Sequence, residues 1–137
     1  MHKYVMADAI NLMSLSDWHK KYNPIDVSRY ICTPILQERA MWYFDDDNGI
    51  LQGFLTWAFL DEEAETAYLN KTRPLECQDW IRENGNLWII DLIAPYGNVR
   101  QIAKEAKKWF EDQGNSVAYF KRNSKRIGHI KRKFIYH

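Results

Sequence analysis

The stretch Trp88–Asn98, WIIDLIAPYGN, decides how the chain is read. Trp88, Ile89 and Ile90 open an apolar, β-branched run of the kind that enters a core as a strand, and Pro95-Tyr96-Gly97 closes it as a turn. Asp91 interrupts that run. A buried carboxylate without compensation is costly, so Asp91 calls for a partner, a shifted titration or a chemical task. By strand alternation Ile89 and Asp91 share one face, while Trp88, Ile90 and Leu92 share the other.

Downstream, Val99, Ile102, Ala103, Ala106 and Phe110 recur at helical spacing and predict an amphipathic helix stopped at Gly114. Val117–Phe120 reads as a strand, and Ile127–Phe134 as a fifth. Strand, helix, strand in succession predicts parallel pairing, or a split, between the Asp91 strand and Val117–Phe120. Upstream, Ala40–Phe44 and Gly53–Leu60 are aromatic apolar runs joined by DDDNGILQ, with Asn48-Gly49 as the hairpin turn. Asp61–Asn70, with Glu62, Glu63 and Glu65 near its start, predicts a short helix. Asp8 caps a helix bearing Ala9, Ile10, Met13 and Asp17 that fails by Asn23-Pro24. A second helix from about Asp26 aligns Ile31, Cys32, Ile35 and Leu36, and Pro34 predicts an early stop or a kink. This order predicts an α+β fold, a mixed and mainly antiparallel sheet flanked by helices, as a single domain over residues 1–137.

A chain of 137 residues with 46% hydrophobic content buries a core without disulfide staples. No apolar run approaches the roughly 20 residues of a membrane span. Asp8 and Asn11 break the apolar character that a secretory leader requires. Cys32 and Cys77 lack ligand spacing, so neither a disulfide framework nor a metal site is expected, and a cytoplasmic location is the simplest expectation. Charge is divided: residues 1–112 carry 12 Lys/Arg and all 18 acids, residues 113–137 seven Lys/Arg and no acid. The basic end suits an anionic partner, or the chain's own acidic surface.

His19 is the first candidate partner for Asp91. A neutral imidazole accepts a proton from an amine or hydroxyl near neutral pH, and a carboxylate on its other nitrogen fixes the tautomer. Ser16, three residues earlier, shares its face. The plain alternatives are a solvated His19 beside Lys20 and Lys21, and an Asp91 that is half exposed or paired with a cation. Pro95 and Gly97 precede a helix, where free N–H groups could hold an oxyanion or phosphate, although a tight turn explains them equally. Phe44, Phe54, Trp57 and Phe59 build core, or else line an acyl groove. RNSKRIGHIKRK contacts nucleic acid or a phosphorylated carrier, or is a solvated basic face.

The segment WIIDLIAPYG, together with Ser16-Asp17-Trp18-His19, Leu55-Thr56-Trp57-Ala58, Tyr68-Leu69-Asn70 and Asp79-Trp80, resembles the toxin-activating lysine acyltransferases, which acylate internal lysines of RTX cytolysins. The ordered match runs from about residue 13 to residue 112. The resemblance implies a GNAT-like fold, no bound cofactor, and an acyl carrier protein thioester as the donor of a fatty acyl group to a lysine of a target protein. It implies that His19 is the catalytic base, Asp91 its carboxylate and Ser16 a positioning group. Trp57, Pro95 and Gly97 are then expected at the substrate, and Arg122, Lys125 and Arg126 at the acidic carrier. Homodimerisation is open, and nucleic acid is not the expected partner. The alternatives are an acetyl-CoA-dependent N-acetyltransferase, disfavoured by the lack of a glycine-rich pyrophosphate loop, and a non-catalytic binding module using the basic edge.

Overall fold

Strand alternation organises the molecule. In β2 (Leu51–Leu60), Phe54, Ala58 and Leu60 face one way while Leu55, Trp57 and Phe59 face the other, and both faces are covered. A computed structural model describes residues 2–115, 117–123 and 129–135, with side chains for 5–115 and 117–121. The first face packs on α1 (His2–Ser14), on the helical stretch from α2 (Pro24–Val27) to α3 (Thr33–Leu36), and on α4 (Glu62–Asn70) and α5 (Cys77–Ile81). The second packs on α6 (Val99–Asp112) through Ile102, Ala106 and Phe110. Gly53 lets α6 come close: a Cβ there would stand 2.8 Å from the Ile93 carbonyl oxygen and run into the Ile102 side chain.

The sheet has the order β1 (Ala40–Phe44), β2, β3 (Asn86–Ile93), β4 (Val117–Asn123), β5 (His129–Ile135). All neighbours are antiparallel except β3 and β4, whose crossover through α6 makes them parallel, with Trp88 opposite Tyr119 and Ile89 opposite Phe120. The α+β class and the mixed, mainly antiparallel sheet agree with the sequence expectation.

A bulge in β3 overturns the expected parity. Thr56 of β2 pairs with Asp91, but Trp57 pairs with Ile89, so Ile90 is the extra residue. Two residues opposite one resets the alternation. Ile89 and Leu92 pack toward α6, whereas Trp88, Ile90 and Ile93 pack against the other helices. Asp91 therefore joins that second group instead of Ile89. Its N–H, displaced from the regular ladder, donates to Thr56 Oγ1 at 3.2 Å, and Thr56 is fully buried.

Other departures have local causes. α1 begins by His2, so Asp8 is an exposed mid-helix residue and not a cap; nothing in KYVMADAI breaks a helix. Ile10 is correspondingly exposed, and Ala9, Leu12 and Met13 form the buried stripe. Pro34 does not stop its helix. A π-turn over Ser28–Cys32, in which the Thr33 N–H reaches the Ser28 carbonyl, absorbs the ring before the last turn. Ile31 and Ile35 are buried there, while Leu36 is exposed. The β1–β2 hairpin closes over a longer loop than a two-residue turn: Asp45 N–H donates to the Ile50 carbonyl, with Gly49 at φ +69°. Phe44, at the strand end, is exposed and not core. Cys32 and Cys77 are free thiols. The helix α5 has no counterpart in the sequence reading; it is held by a capping box between Glu76 and Asp79.

Asp79 is also the polar pin of the α4–α5 layer. It is 0% exposed and accepts from Arg73 Nη1 at 2.8 Å and Arg82 Nη1 at 3.2 Å, while Arg73 reaches Glu63 and Arg82 reaches Asp61. Burial pushes the Asp79 carboxyl up, but Arg73, the Glu76 N–H and Arg82 together outweigh it and hold it below the usual aspartate range. Its contribution to stability is therefore complete above the unfolded aspartate value and lost as pH falls through the folded one. Two outcomes are expected. Asp79→Asn destabilises the fold by about 3 kcal/mol in urea titration at neutral pH, and flattens the decline in melting temperature that the parent protein shows below about pH 4. Thr56→Val, which keeps side-chain volume but strands the Asp91 N–H, costs about 1–3 kcal/mol in the same titration.

Candidate active site

Three backbone segments converge on one polar cluster in the helical face of the sheet. The chain leaves α1 at Ser14 and continues in tight turns, with the Lys20 N–H on the Ser16 carbonyl at 2.9 Å, into a 3₁₀ turn over His19–Lys21. Asn23 then caps the next helix by accepting from the Asp26 N–H, and Pro24 occupies its first turn. This short connection places Ser16, His19 and Tyr22, each three residues apart, against the bulge of β3.

His19 is 6% exposed and Asp91 9%. His19 Nε2 lies 2.9 Å from Asp91 Oδ1, and Ser16 Oγ lies 2.6 Å from His19 Nδ1. The Tyr22 hydroxyl donates to Asp91 at 3.0 Å (Oδ1) and 3.3 Å (Oδ2). A carboxylate only accepts, so Nε2 carries the proton in the neutral ring and Nδ1 presents its lone pair, to which Ser16 donates. The basic nitrogen of His19 is thus the one facing Ser16. The cluster holds a proton acceptor, a carboxylate able to stabilise the imidazolium, and a hydroxyl between that acceptor and whatever approaches it.

Around the cluster the electrostatics follow Asp91. Burial, and then the Asp91 charge, push the Tyr22 hydroxyl far above the ordinary tyrosine range, and the same causes raise Tyr68. Tyr30 is raised chiefly by burial and donates nothing to the carboxylate; its oxygen accepts from the Leu75 N–H. Lys121 of β4 rests 3.6 Å from the Tyr68 ring centroid and donates to the Tyr68 carbonyl at 3.0 Å. Burial and the nearby Lys71 push its amine down to about 8, against the pull of Asp91.

Ser16, His19 and Asp91 are brought together as the sequence reading requires. Of the other expected site residues, Trp57 stands apart from them. It lies on the opposite face of the sheet, packed on Phe110 with the Arg39 guanidinium 4.6 Å above its ring. Odd positions of β2 point toward α6, so no change of side-chain rotamer brings it to His19. Pro95 is half-buried, and the Gly97 N–H is already used by the Ala94 carbonyl at 3.2 Å, as a turn requires, rather than free for an anion. Arg122 stands in β4 with its side chain outside the described residues, and Lys125 and Arg126 lie outside them altogether. The sequence reading missed Tyr22 and Thr56. Both left a signal: Tyr22 repeats the three-residue spacing of Ser16 and His19, and Thr56 is the lone hydroxyl in GFLTWAFL. Among the described residues no helix is long and apolar enough to cross a membrane.

The RTX toxin acyltransferase family profile matches residues 2–134. A leukotoxin-activating lysine-acyltransferase of Mannheimia haemolytica is 29% identical over 115 residues, covering 84% of this chain and 67% of that protein. A protein-lysine myristoyltransferase of Escherichia coli is 37% identical over 102 residues, covering 74% of this chain and 57% of that protein. A lysine-acyltransferase of Vibrio cholerae is 26% identical over 93 residues, covering 68% of this chain and 60% of that protein. With the histidine–carboxylate pair set in a buried polar cluster and the family match running over nearly the whole chain, the chain belongs to the RTX toxin acyltransferase family and is an acyltransferase.

Proposed function

We propose that the chain moves a fatty acyl group from an acyl carrier protein thioester to the ε-amine of a lysine in a target protein. The observation that carries the reading is the His19–Asp91 hydrogen bond, with the lone pair of Nδ1 turned toward Ser16. Relatives named for lysine acylation and myristoyl transfer support the acceptor and the fatty donor.

The lysine nitrogen attacks the thioester carbonyl. The C–N bond forms, the C–S bond breaks, and the pantetheine thiolate leaves. The amine loses its proton toward His19 Nδ1, with the Ser16 hydroxyl passing it or moving aside, and Asp91 stabilises the imidazolium. His19 then returns that proton to the thiolate. General-base help of this kind contributes about 10²–10⁴-fold. The basic composition of residues 113–137 supports docking of an acidic carrier, because complementary charge accelerates encounter.

Incubation with acyl carrier protein thioesters, and separately with acyl-CoA, followed by intact-mass analysis of co-expressed acceptor proteins, tests the reading. Mass gain on a lysine with the carrier donor is expected. His19→Ala and Asp91→Asn should each lower the rate about 10²–10⁴-fold while remaining folded by circular dichroism; full activity in either variant would remove the mechanism. Replacing Arg122, Lys125 and Arg126 by serine is expected to weaken carrier binding at low salt and leave it unchanged at high salt.

A further inference from the structure

Six groups from five segments interact with Asp91, by hydrogen bond or through its charge: His19 and Tyr22 from the turn after α1, Tyr30 from the π-turn, Tyr68 from α4, Thr56 from β2 and Lys121 from β4. Four of them leave the carboxylate itself unbonded. Tyr30 offers its oxygen to Leu75, Lys121 donates to the Tyr68 carbonyl, Tyr68 acts at a distance, and Thr56 takes the Asp91 backbone N–H. Tyr22 alone among these neighbours joins His19 on the carboxylate oxygens, and it shares Oδ1 with the imidazole.

We infer that Tyr22 is a positioning residue of the acyl transfer, holding the Asp91 carboxylate so that Oδ1 meets His19 Nε2 and moderating how strongly that carboxylate stabilises the imidazolium. The inference rests on the reaction proposed above. A carboxylate with one partner rotates about its χ2 bond. A second donor that spans both oxygens fixes its plane. The Tyr22 ring stands edge-on to His19 at 5.3 Å and to Tyr30 at 6.5 Å, so it is itself wedged and cannot follow a rotating carboxylate. It remains a donor throughout the working pH range, because burial and Asp91 keep its hydroxyl protonated. A neutral donor on Oδ1 also withdraws part of the negative charge seen by the imidazole. Removing it leaves a more basic carboxylate, which favours the protonated ring. Since the reaction needs the unprotonated ring, the acid limb of the activity profile must then move to higher pH.

Tyr22→Phe keeps the ring and its two edge contacts and deletes only the hydroxyl. The expected result is a kcat about tenfold lower or more, KM values for carrier and acceptor within about twofold, and an acid limb of the kcat profile displaced to higher pH. The second readout needs no activity: nitrogen-15 NMR of the His19 ring across pH, in the parent protein and in Tyr22→Phe, should show the protonated ring persisting to higher pH in the variant. Identical ring titrations in the two folded proteins would overturn the assignment, as would coincident kcat profiles. If neither protein transfers an acyl group but the ring titrations differ as described, the hold of Tyr22 on the Asp91 carboxylate stands and the proposed reaction falls.

Discussion

The hydrogen bond between His19 and Asp91 constrains more of this molecule than its single 2.9 Å contact suggests. It crosses 72 positions of sequence and joins the turn after α1 to the central strand. A carboxylate this deeply placed has lost most of its water, so its surroundings must supply compensation. His19 and Tyr22 compensate the oxygens, and Thr56 compensates the backbone N–H beside them. Each compensating group brings its own geometric demand: an exit from α1 short enough to seat His19, a tyrosine three residues on, and a hydroxyl in an otherwise apolar strand. The polar cluster and the fold are in this sense a single requirement.

The β3 bulge is the device that reconciles them. A regular strand would have sent Asp91 toward α6, into the apolar layer of Leu55, Trp57, Ile102 and Phe110 and away from His19 and Tyr22. Inserting Ile90 shifts the alternation and delivers the carboxylate to the side where α1 ends. The two faces of the sheet thereby separate two tasks. The α6 face is a continuous aromatic and aliphatic core held close by Gly53, and the opposite face carries the His19–Asp91 cluster. The second polar centre on that face, Asp79 with Arg73 and Arg82, anchors α4 and α5 and so supports Tyr68, whose ring and carbonyl receive Lys121. It contributes to stability and touches none of the groups around His19.

Much of this was legible in the residues. The strands, the amphipathic α6 and the acidic start of α4 follow from periodicity and helix electrostatics, because those signals act within a few residues. The suspicion attached to Asp91 also came from local contrast, an acid inside an apolar run. Placement of the wider site was not legible. Trp57 reads as core, with a groove as the alternative, and only the parity of β2 puts it behind the sheet. Gly97 reads equally as a free N–H donor and as a tight turn, until the turn forms and the Ala94 carbonyl takes its N–H.

By itself, then, the sequence determined the class of fold and the order of its strands, and it singled out Ser16, His19 and Asp91 as candidates, since short-range pattern and residue chemistry are written in contiguous letters. Tertiary structure decided the face on which Asp91 emerges, the tautomer of His19 and the recruitment of Tyr22 and Thr56. Those depend on register between strands and on the approach of segments distant in sequence. A one-residue offset in pairing, which no local propensity encodes, inverts every side chain beyond it.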